Sequence, residues 1–335
     1  MLTAIAAIAV FCLLILSHEF GHFIVAKWSG VYVEDFSLGM GPKLLQWQGK
    51  ETTYTLRPFP IGGWCKMRGE DEDSDDPRAF NNAKIWKRIL TVFAGPLMNF
   101  VIAIVLFIII FMMLGTASSE NVAGKIQPGQ PAEAAGMQAG DRILSVNGIE
   151  IATWEQIGPA VNSLPPGSEL SVLVERDGQQ LILSITPVFN EEYQLWMLGI
   201  EAERLRQNLF TAIALGCKQS IWFVKELILA LISMFTGQAP VDVAGPVGIV
   251  TIIGDSARYG LQSLLLLTAY LSINLGLLNL FPLPALDGSR IIFLAIEGLR
   301  GRPIDRRKEG MVHFVGLMAL MALMTYNDIL RLIAS

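Results

Sequence analysis

Four apolar runs, each long enough to cross a lipid bilayer, constrain this chain more than any other feature of its sequence. They lie near residues 2–28, 89–114, 261–286 and 311–330, and a membrane-spanning helix needs about 20 apolar residues. Of the 335 residues, 16% are charged, whereas soluble domains carry roughly 25%. The sequence therefore predicts a polytopic α-helical membrane protein with four transmembrane helices.

Positive charges predict the orientation of these helices. Residues 27–88 contain ten Lys and Arg and residues 290–308 contain six, whereas the longer stretch 115–208 contains five. Because cytoplasmic loops carry the excess of Lys and Arg, the N-terminus and the segment after the second helix are expected outside the cytoplasm. No Lys or Arg precedes the first run, so we interpret it as a membrane helix rather than a cleaved signal peptide.

Residues 120–190 differ in pattern from the rest of the chain. Short alternating segments are separated by turn signals, among them Asn147-Gly148 and Asp177-Gly178, which are typical of tight hairpin loops. A small strand-rich soluble domain is therefore predicted. Its run GKIQPGQPAEAAGMQAGDRILSVNG resembles the PDZ family, whose members bind an extended peptide as an added strand. The alternative is a module that only covers the membrane core sterically.

We divide the chain where its composition changes. The predicted parts are a first membrane half, a PDZ-like α+β domain, a linker with an amphipathic helix, and a second membrane half, at residues 1–115, 116–192, 193–255 and 256–335. Within the third part, residues 208–235 are apolar but interrupted by Lys218, Lys225 and Glu226. A helix that lies in the interface or re-enters the membrane fits this pattern better than a span.

Residues 31–68 are predicted to form strands, because Gly62-Gly63 and other turn residues punctuate extended segments. A membrane-associated β-hairpin here would clamp an extended substrate through its free edge. A plain structural loop fits the composition equally well. The acidic run at residues 70–76 is interpreted as a solvated linker.

The run HEFGH occupies residues 18–22, inside the first apolar segment. His18 and His22 are four residues apart and therefore share one face of a helix. Two imidazoles at this spacing can bind one zinc ion, and Glu19 can then accept a proton from the attacking water. Ionisable groups inside a membrane are costly, so they are functional candidates by default. The sequence predicts a catalytic zinc site rather than a satisfied pair of core histidines.

Asp287 is the predicted third zinc ligand, since catalytic zinc takes three protein ligands and one open position. It follows an apolar helix that Pro282 and Pro284 interrupt, and broken backbone in a membrane is tolerated only beside protein or a wet cavity. His18 and Asp287 would both lie near the cytoplasmic ends of inward-running helices. His313 is the rival ligand. The sequence leaves open whether the metal is zinc or another divalent ion.

Two motifs together are highly specific, HEFGH in the first helix and NLFPLPALDG in the third. They resemble the site-2 protease family of intramembrane zinc metalloproteases, in particular the bacterial regulator-of-sigma-E proteases, here in a form with a single PDZ domain. The stretches FSLGMGPKLL, FPIGGWCKMRGE and KRILTVFAGPLMNFVIAI extend the resemblance over nearly the whole chain.

The resemblance implies three zinc ligands, a catalytic base, and further residues that hold the substrate strand or shape the cleft. The metal ligands and the base are His18, His22, Asp287 and Glu19. The substrate residues are Asn279, Asn274, Pro282 and Pro284. A hairpin of residues 38–67 would lie beside the substrate.

The implied function is that of a zinc metalloendopeptidase in the bacterial inner membrane, with its active site near the cytoplasmic side. Its substrates would be single-span membrane proteins already trimmed outside the cytoplasm, such as an anti-sigma factor or a signal-peptide remnant. The PDZ-like domain would contact substrates or peptides. This is regulated intramembrane proteolysis.

The chain departs from the family pattern in two places. The best-known members carry two PDZ modules, whereas residues 120–190 accommodate one, which puts a size filter built from two modules in doubt. Many relatives have Gly-His after the Asp-Gly of the third helix, where this chain has Ser289-Arg290. We infer that no histidine after Asp287 is required for zinc.

Two other functions fit parts of the sequence. A non-catalytic membrane adaptor would recruit partners through its PDZ-like domain, but a purely structural metal site needs no base such as Glu19. A zinc carrier would place ionisable groups along several helices, and the second and fourth apolar runs lack such a series. The cysteines have no paired spacing, which predicts neither a disulfide framework nor a cysteine metal site. No basic block indicates nucleic-acid binding.

Overall fold

The computed structural model describes residues 1–335 except 71, 164, 166, 192, 193, 239–244, 303, 304, 306–308, 320, 323, 324 and 326–335. The chain forms two compact units. The first joins Met1–Ile110 to Phe210–Ser335, and the second comprises Phe111–Leu209. In sequence, the second unit is therefore an insertion within the first.

Helices and strands follow one another along the chain as predicted, with apolar helices flanking a strand-rich middle. In chain order they are α1 Leu2–Ser29, β1 Val33–Met40, β2 Leu45–Gln48, β3 Thr53–Leu56, β4 Phe59–Met67, α2 Ile85–Met113, β5 Thr116–Ala117, β6 Ala123–Ile126, α3 Pro131–Ala134, β7 Arg142–Val146, β8 Ile149–Glu150, α4 Ile157–Asn162, β9 Leu170–Arg176, β10 Gln179–Ile185, β11 Val188–Asn190, β12 Leu195–Met197, β13 Ile200–Ala202, β14 Arg204–Leu205, α5 Leu209–Phe235, α6 Pro246–Arg258, α7 Leu261–Asn279 and α8 Asp287–Arg300.

Among the residues that the structure describes, α1, α2 and α7 are long and apolar enough to cross a membrane. The first three predicted spans are thus confirmed as apolar helices. α7 ends at Asn279, earlier than the apolar run, because the prolines that follow cannot continue a helix. The fourth predicted span, residues 311–330, lies partly outside the described residues. Residues 309–319 are described and are helical. α5 is a continuous helix of 27 residues, and its position in the interface stays a prediction.

Glycines bring the membrane helices into backbone contact. A Cβ atom on Gly21 of α1 would overlap a carbonyl oxygen of α2, and one on Gly95 of α2 would overlap the imidazole of His22. A Cβ on Gly276 of α7 would lie 2.9 Å from the carbonyl oxygen of Pro96 in α2. Small residues at such positions allow membrane helices to approach closely. α2 is therefore held directly between α1 and α7.

A polar contact accompanies this packing at Asn99, which has no exposed surface. Ser17 Oγ of α1 lies 3.1 Å from the side-chain amide of Asn99. Ser272 Oγ of α7 donates to the Asn99 carbonyl oxygen at 2.8 Å. Hydrogen bonds between helices compensate for polar groups removed from water. Asn99 consequently links all three apolar helices.

The strands of the first unit form one mixed sheet in the order β2-β3-β1-β4. β1 pairs antiparallel with β4 and parallel with β3. The sequence predicted a single hairpin in this region, and the structure has a four-stranded sheet instead. The additional strands β2 and β3 form a hairpin between β1 and β4 in sequence, and β3 pairs with the edge of β1 that β4 leaves open. β4 is an edge strand, and within the described part of the chain it pairs with β1 alone.

A hydrophobic cluster attaches this sheet to the helices that carry the site. It combines residues of α1, β1, β4, α2 and α8 with their connections, namely Ala26, Val31, Val33, Cys65, Met67, Phe80, Val92 and Leu294. An ion pair between Arg88 of α2 and Glu297 of α8, 2.6 Å long, lies beside the cluster. α8, which begins at Asp287, is thereby held against α2.

The second unit contains a sheet in the order β10-β9-β7-β8. Its hairpins turn at Asn147-Gly148 and Asp177-Gly178, where φ is 47° and 80° and then 51° and 79°, as two-residue loops with positive φ require. Both predicted turns are confirmed. The unit extends beyond residue 192 because β13 and β14 pair with β6 and β5. The predicted division of the chain into four parts otherwise stays a prediction.

Replacing Gly21 by Ala tests the contact between α1 and α2. Since the added methyl group meets backbone that cannot rotate away, we expect Gly21→Ala to lower the free energy of unfolding by about 1–3 kcal/mol. Gly298→Ala on α8 is the matched control, because a Cβ there makes ordinary contacts of 3.5 Å with Ile85. Unfolding in detergent measures both variants. Equal stability of the two would contradict the close contact.

Candidate metal centre

His18, His22 and Asp287 place one ligand atom each around a common point. His18 Nε2 lies 3.1 Å and His22 Nε2 3.5 Å from Asp287 Oδ2, and the two Nε2 atoms are 3.2 Å apart. The ligand atoms of tetrahedral zinc, with bonds of about 2.0–2.1 Å, lie about 3.4 Å from one another. The three atoms therefore form a triangle of the size that a tetrahedral metal ion requires.

The hydrogen bonds of the two imidazoles leave the required nitrogens free. His22 Nδ1 lies 2.9 Å from the carbonyl oxygen of Thr91. Because a carbonyl can only accept, Nδ1 carries the proton and the Nε2 lone pair points towards Asp287. His18 Nδ1 lies 3.3 Å from the side-chain amide of Asn99. The oxygen and nitrogen of an amide can exchange places by rotation of the side chain. With Oδ1 towards His18, the Asn99 amide accepts from His18 Nδ1–H and donates from its NH₂ group to Ser17 Oγ.

Asp287 Oδ2 is buried, and no described residue donates a hydrogen bond to it. A buried carboxylate oxygen without a partner is costly, and a cation held between Asp287 and two neutral imidazoles would remove that cost. Two imidazoles and a carboxylate are also a common ligand set of catalytic zinc, with one coordination position left open. The residues present thus fit a zinc ion.

Glu19 lies beside these ligand atoms, in a cavity of about 510 Å³. The strand β4 forms one wall of this cavity from Gly63 to Met67. Gly63 leaves the space that Glu19 occupies, since a Cβ on Gly63 would lie 3.1 Å from Glu19 Cγ. A water molecule or a peptide in the cavity would therefore meet the carboxylate and the three ligand atoms together.

An ion pair between Glu70 and Arg290 contributes to the wall of the cavity. Glu70 also accepts a hydrogen bond from the Met67 N–H at 3.3 Å, and both charged residues line this cavity and a neighbouring one of about 570 Å³. The Glu70 side chain is 10% exposed, so the prediction of a solvated acidic run is wrong at this residue. Arg290, which departs from the family pattern, neutralises it.

The other predicted site residues lie on α7 and in the turn between α7 and α8. Asn274 and Asn279 are half-buried on α7, and Pro282 and Pro284 lie in the turn. As far as the structure describes it, the wall of the Glu19 cavity includes none of these four. His313, the rival ligand, is not part of the triangle, because its Nδ1 accepts a hydrogen bond from the Ala285 N–H at 2.8 Å.

Sequence reasoning missed the residues that orient the imidazoles. Asn99, Thr91 and Gly95 all belong to α2, far in sequence from HEFGH. One signal was available, since Asn99 is a polar residue in the middle of an apolar run and such residues are functional candidates. Thr91 acts through its backbone carbonyl, which any residue type would supply, so its role left no signal.

Comparison with known proteins decides the family. A family model described as peptidase family M50 matches residues 6–323. This chain belongs to peptidase family M50. The M50 peptidase is 38% identical to a protein of Clostridium acetobutylicum over 330 residues, which cover 97% of this chain and 96% of that one.

Two relatives carry names that state their activity. The zinc metalloprotease RasP of Geobacillus kaustophilus is 32% identical over 410 residues, covering 97% of each chain. The regulator of sigma-W protease RasP of Bacillus subtilis is 31% identical over 417 residues, covering 98% of this chain and 99% of that one. The M50 peptidase is therefore a membrane-embedded zinc metalloprotease. The predicted family, enzyme class and cofactor are confirmed, and the adaptor and zinc-carrier alternatives are set aside.

Solved structures similar to part of the M50 peptidase include PDZ domains. The PDZ domain of an SdrC-like protein from Listeria monocytogenes is 15% identical and covers 25% of this chain and 87% of that one, with a TM-score of 0.22. A TM-score this low carries no argument about the fold of the second unit. What that unit binds stays a prediction.

Replacing Asn99 by Leu tests the orientation of His18. Loss of the group that hydrogen bonds a metal-binding histidine typically weakens metal binding by about 10–100-fold, and we expect this loss for Asn99→Leu. Ser272→Ala is the control, because it removes a hydrogen bond to the Asn99 backbone and leaves the amide beside His18. Competition with a chromophoric chelator measures zinc affinity. An unchanged affinity in Asn99→Leu would exclude this role.

Proposed function

We propose that His18, His22 and Asp287 hold the zinc ion, that Glu19 is the general base, and that this site hydrolyses peptide bonds of single-span membrane proteins. One observation carries the proposal. The atoms His18 Nε2, His22 Nε2 and Asp287 Oδ2 lie within 3.5 Å of one another, in a cavity that Glu19 also lines.

The residues of the chain divide the catalytic work. Bound zinc supplies a Lewis acid, which polarises the scissile carbonyl and acidifies water. Thr91 and Asn99 hold the two imidazoles with Nε2 turned inward. Glu19 takes a proton at its carboxylate from the attacking water and delivers it to the nitrogen of the leaving amine.

The position of β4 supports the proposal that substrate binds as an additional strand beside it. β4 runs along the cavity, and among the described strands only β1 pairs with it, so that one of its edges is unpaired there. The carbonyl groups of a membrane-spanning helix are engaged in backbone hydrogen bonds, so a substrate must unwind before cleavage. Pairing with β4 would replace the lost hydrogen bonds. We assign Asn279, Asn274 and the Pro282/Pro284 turn to shaping the remainder of the cleft.

The charge distribution supports an orientation in the bacterial inner membrane. The N-terminus and the second unit would lie outside the cytoplasm, the site would lie near the cytoplasmic side, and residues 311–330 would complete a fourth span. Substrates would be proteins already trimmed outside, such as an anti-sigma factor or a signal-peptide remnant.

An apolar cavity in the second unit supports peptide recognition there. The cavity measures about 370 Å³ and lies between α4 and the segment from β12 to β13. Trp154, Ile157, Val161 and Trp196 contribute to its lining. An extended peptide that added to this unit could place an apolar side chain in the cavity. Substrate docking through the PDZ-like domain is the use that we propose for it.

Glu19→Gln separates catalysis from metal binding. Because the substitution removes the base and leaves the three ligands, we expect retained zinc and a cleavage rate lower by at least about 10²–10⁴-fold. Asp287→Asn should lower the zinc content as well. The assay is cleavage of a tagged single-span substrate by purified protein in detergent, with zinc quantified in parallel.

The matched control for this experiment is Glu226→Gln, the same change on α5 and away from the described wall of the cavity. It should cleave like the wild-type protein. Full activity in Glu19→Gln would exclude Glu19 as the base, and wild-type zinc affinity in Asp287→Asn would exclude Asp287 as a ligand.

If the substrate must unwind, the rate of cleavage should depend on the stability of the substrate helix near the cleaved bond. Two Leu→Gly substitutions in the substrate beside the cleaved bond weaken its helix by about 2 kcal/mol. We expect the initial rate to rise by up to about 30-fold, since less free energy is needed to expose the carbonyl. The same two substitutions at the opposite end of the span are the control. Equal rates for the two substrates would contradict unwinding of the substrate before cleavage.

A further inference from the structure

The turn that presents Asp287 contains a strained residue. Ala285 has a φ of +76°, a left-handed conformation that costs a residue with a Cβ atom about 1–2 kcal/mol. Such conformations persist only where the surrounding structure holds them. Ala285 lies two residues before Asp287, so its backbone angles determine where the Asp287 carboxylate is directed.

The helical segment at residues 309–319 holds this turn. His313 Nδ1 accepts a hydrogen bond from the Ala285 N–H at 2.8 Å. Gly316 lies against Pro284, because a Cβ on Gly316 would overlap the proline side chain. Residues three apart share one face of a helix. His313 and Gly316 thus contact two consecutive residues of the turn from the same face.

The surroundings of His313 explain why it is not a metal ligand. Since Nδ1 accepts from Ala285, the proton of the neutral ring is on Nε2, and no lone pair remains for a metal. Nε2 is buried and lacks a hydrogen-bond partner among the described residues, with Glu309 Oε1 at 3.8 Å. The ring of Phe293 packs against the imidazole at a centroid distance of 5.7 Å, which fixes the orientation of Nδ1.

We propose that His313 is a positioning residue of the metal centre, whose hydrogen bond holds Ala285 in its left-handed conformation and thereby keeps Asp287 Oδ2 beside the two imidazoles. The inference rests on the zinc ligand set proposed above. Without the hydrogen bond, Ala285 relaxes to negative φ and the following peptide rotates. Asp287 Oδ2 then leaves the triangle, whose sides are 3.1, 3.2 and 3.5 Å.

Glycine at position 285 provides a specific test of this mechanism. Glycine adopts positive φ without steric cost, so Ala285→Gly makes the hydrogen bond of His313 less necessary. A defect caused by loss of the bond should therefore be suppressed in the double variant. A defect caused by poor packing around the imidazole should not, because Ala285→Gly adds no atoms there.

The experiment measures zinc affinity of the purified full-length protein in detergent by chelator competition. His313→Phe keeps a ring and removes the acceptor, and we expect an affinity lower by about 10–100-fold. His313→Asn places an amide oxygen where Nδ1 was and should recover most of the loss. The double variant His313→Phe/Ala285→Gly should recover it as well.

Ala285→Val keeps the proposal testable if His313→Phe does not fold. A β-branched residue disfavours positive φ, so this variant should lose zinc affinity although His313 is intact. Wild-type affinity in Ala285→Val or in His313→Phe overturns the proposal. Equal defects in His313→Phe, His313→Asn and the double variant also overturn it, because they indicate packing alone.

Asp287→Asn, measured in the same series, separates this inference from the ligand assignment. If Asp287→Asn binds zinc like the wild type, the ligand set is wrong and the positioning role falls with it. If Asp287→Asn loses affinity and His313→Phe does not, the ligand set stands and only the positioning role is overturned.

Discussion

Close approach of α1 and α2 at Gly21 and Gly95 is the constraint on which the proposed metal centre depends. Without the space left by Gly95, the imidazole of His22 could not lie over the α2 backbone and reach the Thr91 carbonyl. The same helix, through Pro96 and Asn99, receives α7. One helix, α2, which contributes none of the proposed ligands, therefore determines where the proposed ligands from both ends of the chain meet.

Local periodicity explains what could be predicted from the sequence. His18 and His22 share a helix face whatever surrounds them, and the prolines that break an apolar run beside Asp287 predict that it lies near them, as the structure shows. The features that could not be predicted depend on contacts between residues far apart in the sequence. The parallel contact of β1 with β3 and the burial of Glu70 against Arg290 depend on residues distant in sequence, and no local pattern encodes them. The sequence suggests His313 as a rival ligand, but its partner is the backbone N–H of Ala285, and no local pattern predicts that contact.

In the first unit, several of the described polar side chains form separate hydrogen bonds and ion pairs. Asn99 serves two helices, Arg88 pairs with Glu297, and Arg290 with Glu70. In a medium of low dielectric constant each unpaired group is costly. Asp287 Oδ2 is one of a few buried polar atoms that lack a hydrogen-bond partner among the described residues, as His313 Nε2 and Arg88 Nε also do, and it is the carboxylate oxygen among these three. A site that binds a cation has to leave such a carboxylate incomplete.

The pairing of β5 with β14 has a consequence for how such peptidases diversify. Arg204 faces Ala117 and Leu205 faces Thr116, so the chain enters and leaves the second unit through adjacent strands. Insertions whose two ends lie side by side can be enlarged or replaced at small cost. If the second unit docks substrates as proposed, selection of substrates and cleavage of substrates can evolve, or be engineered, as separable properties of one polypeptide.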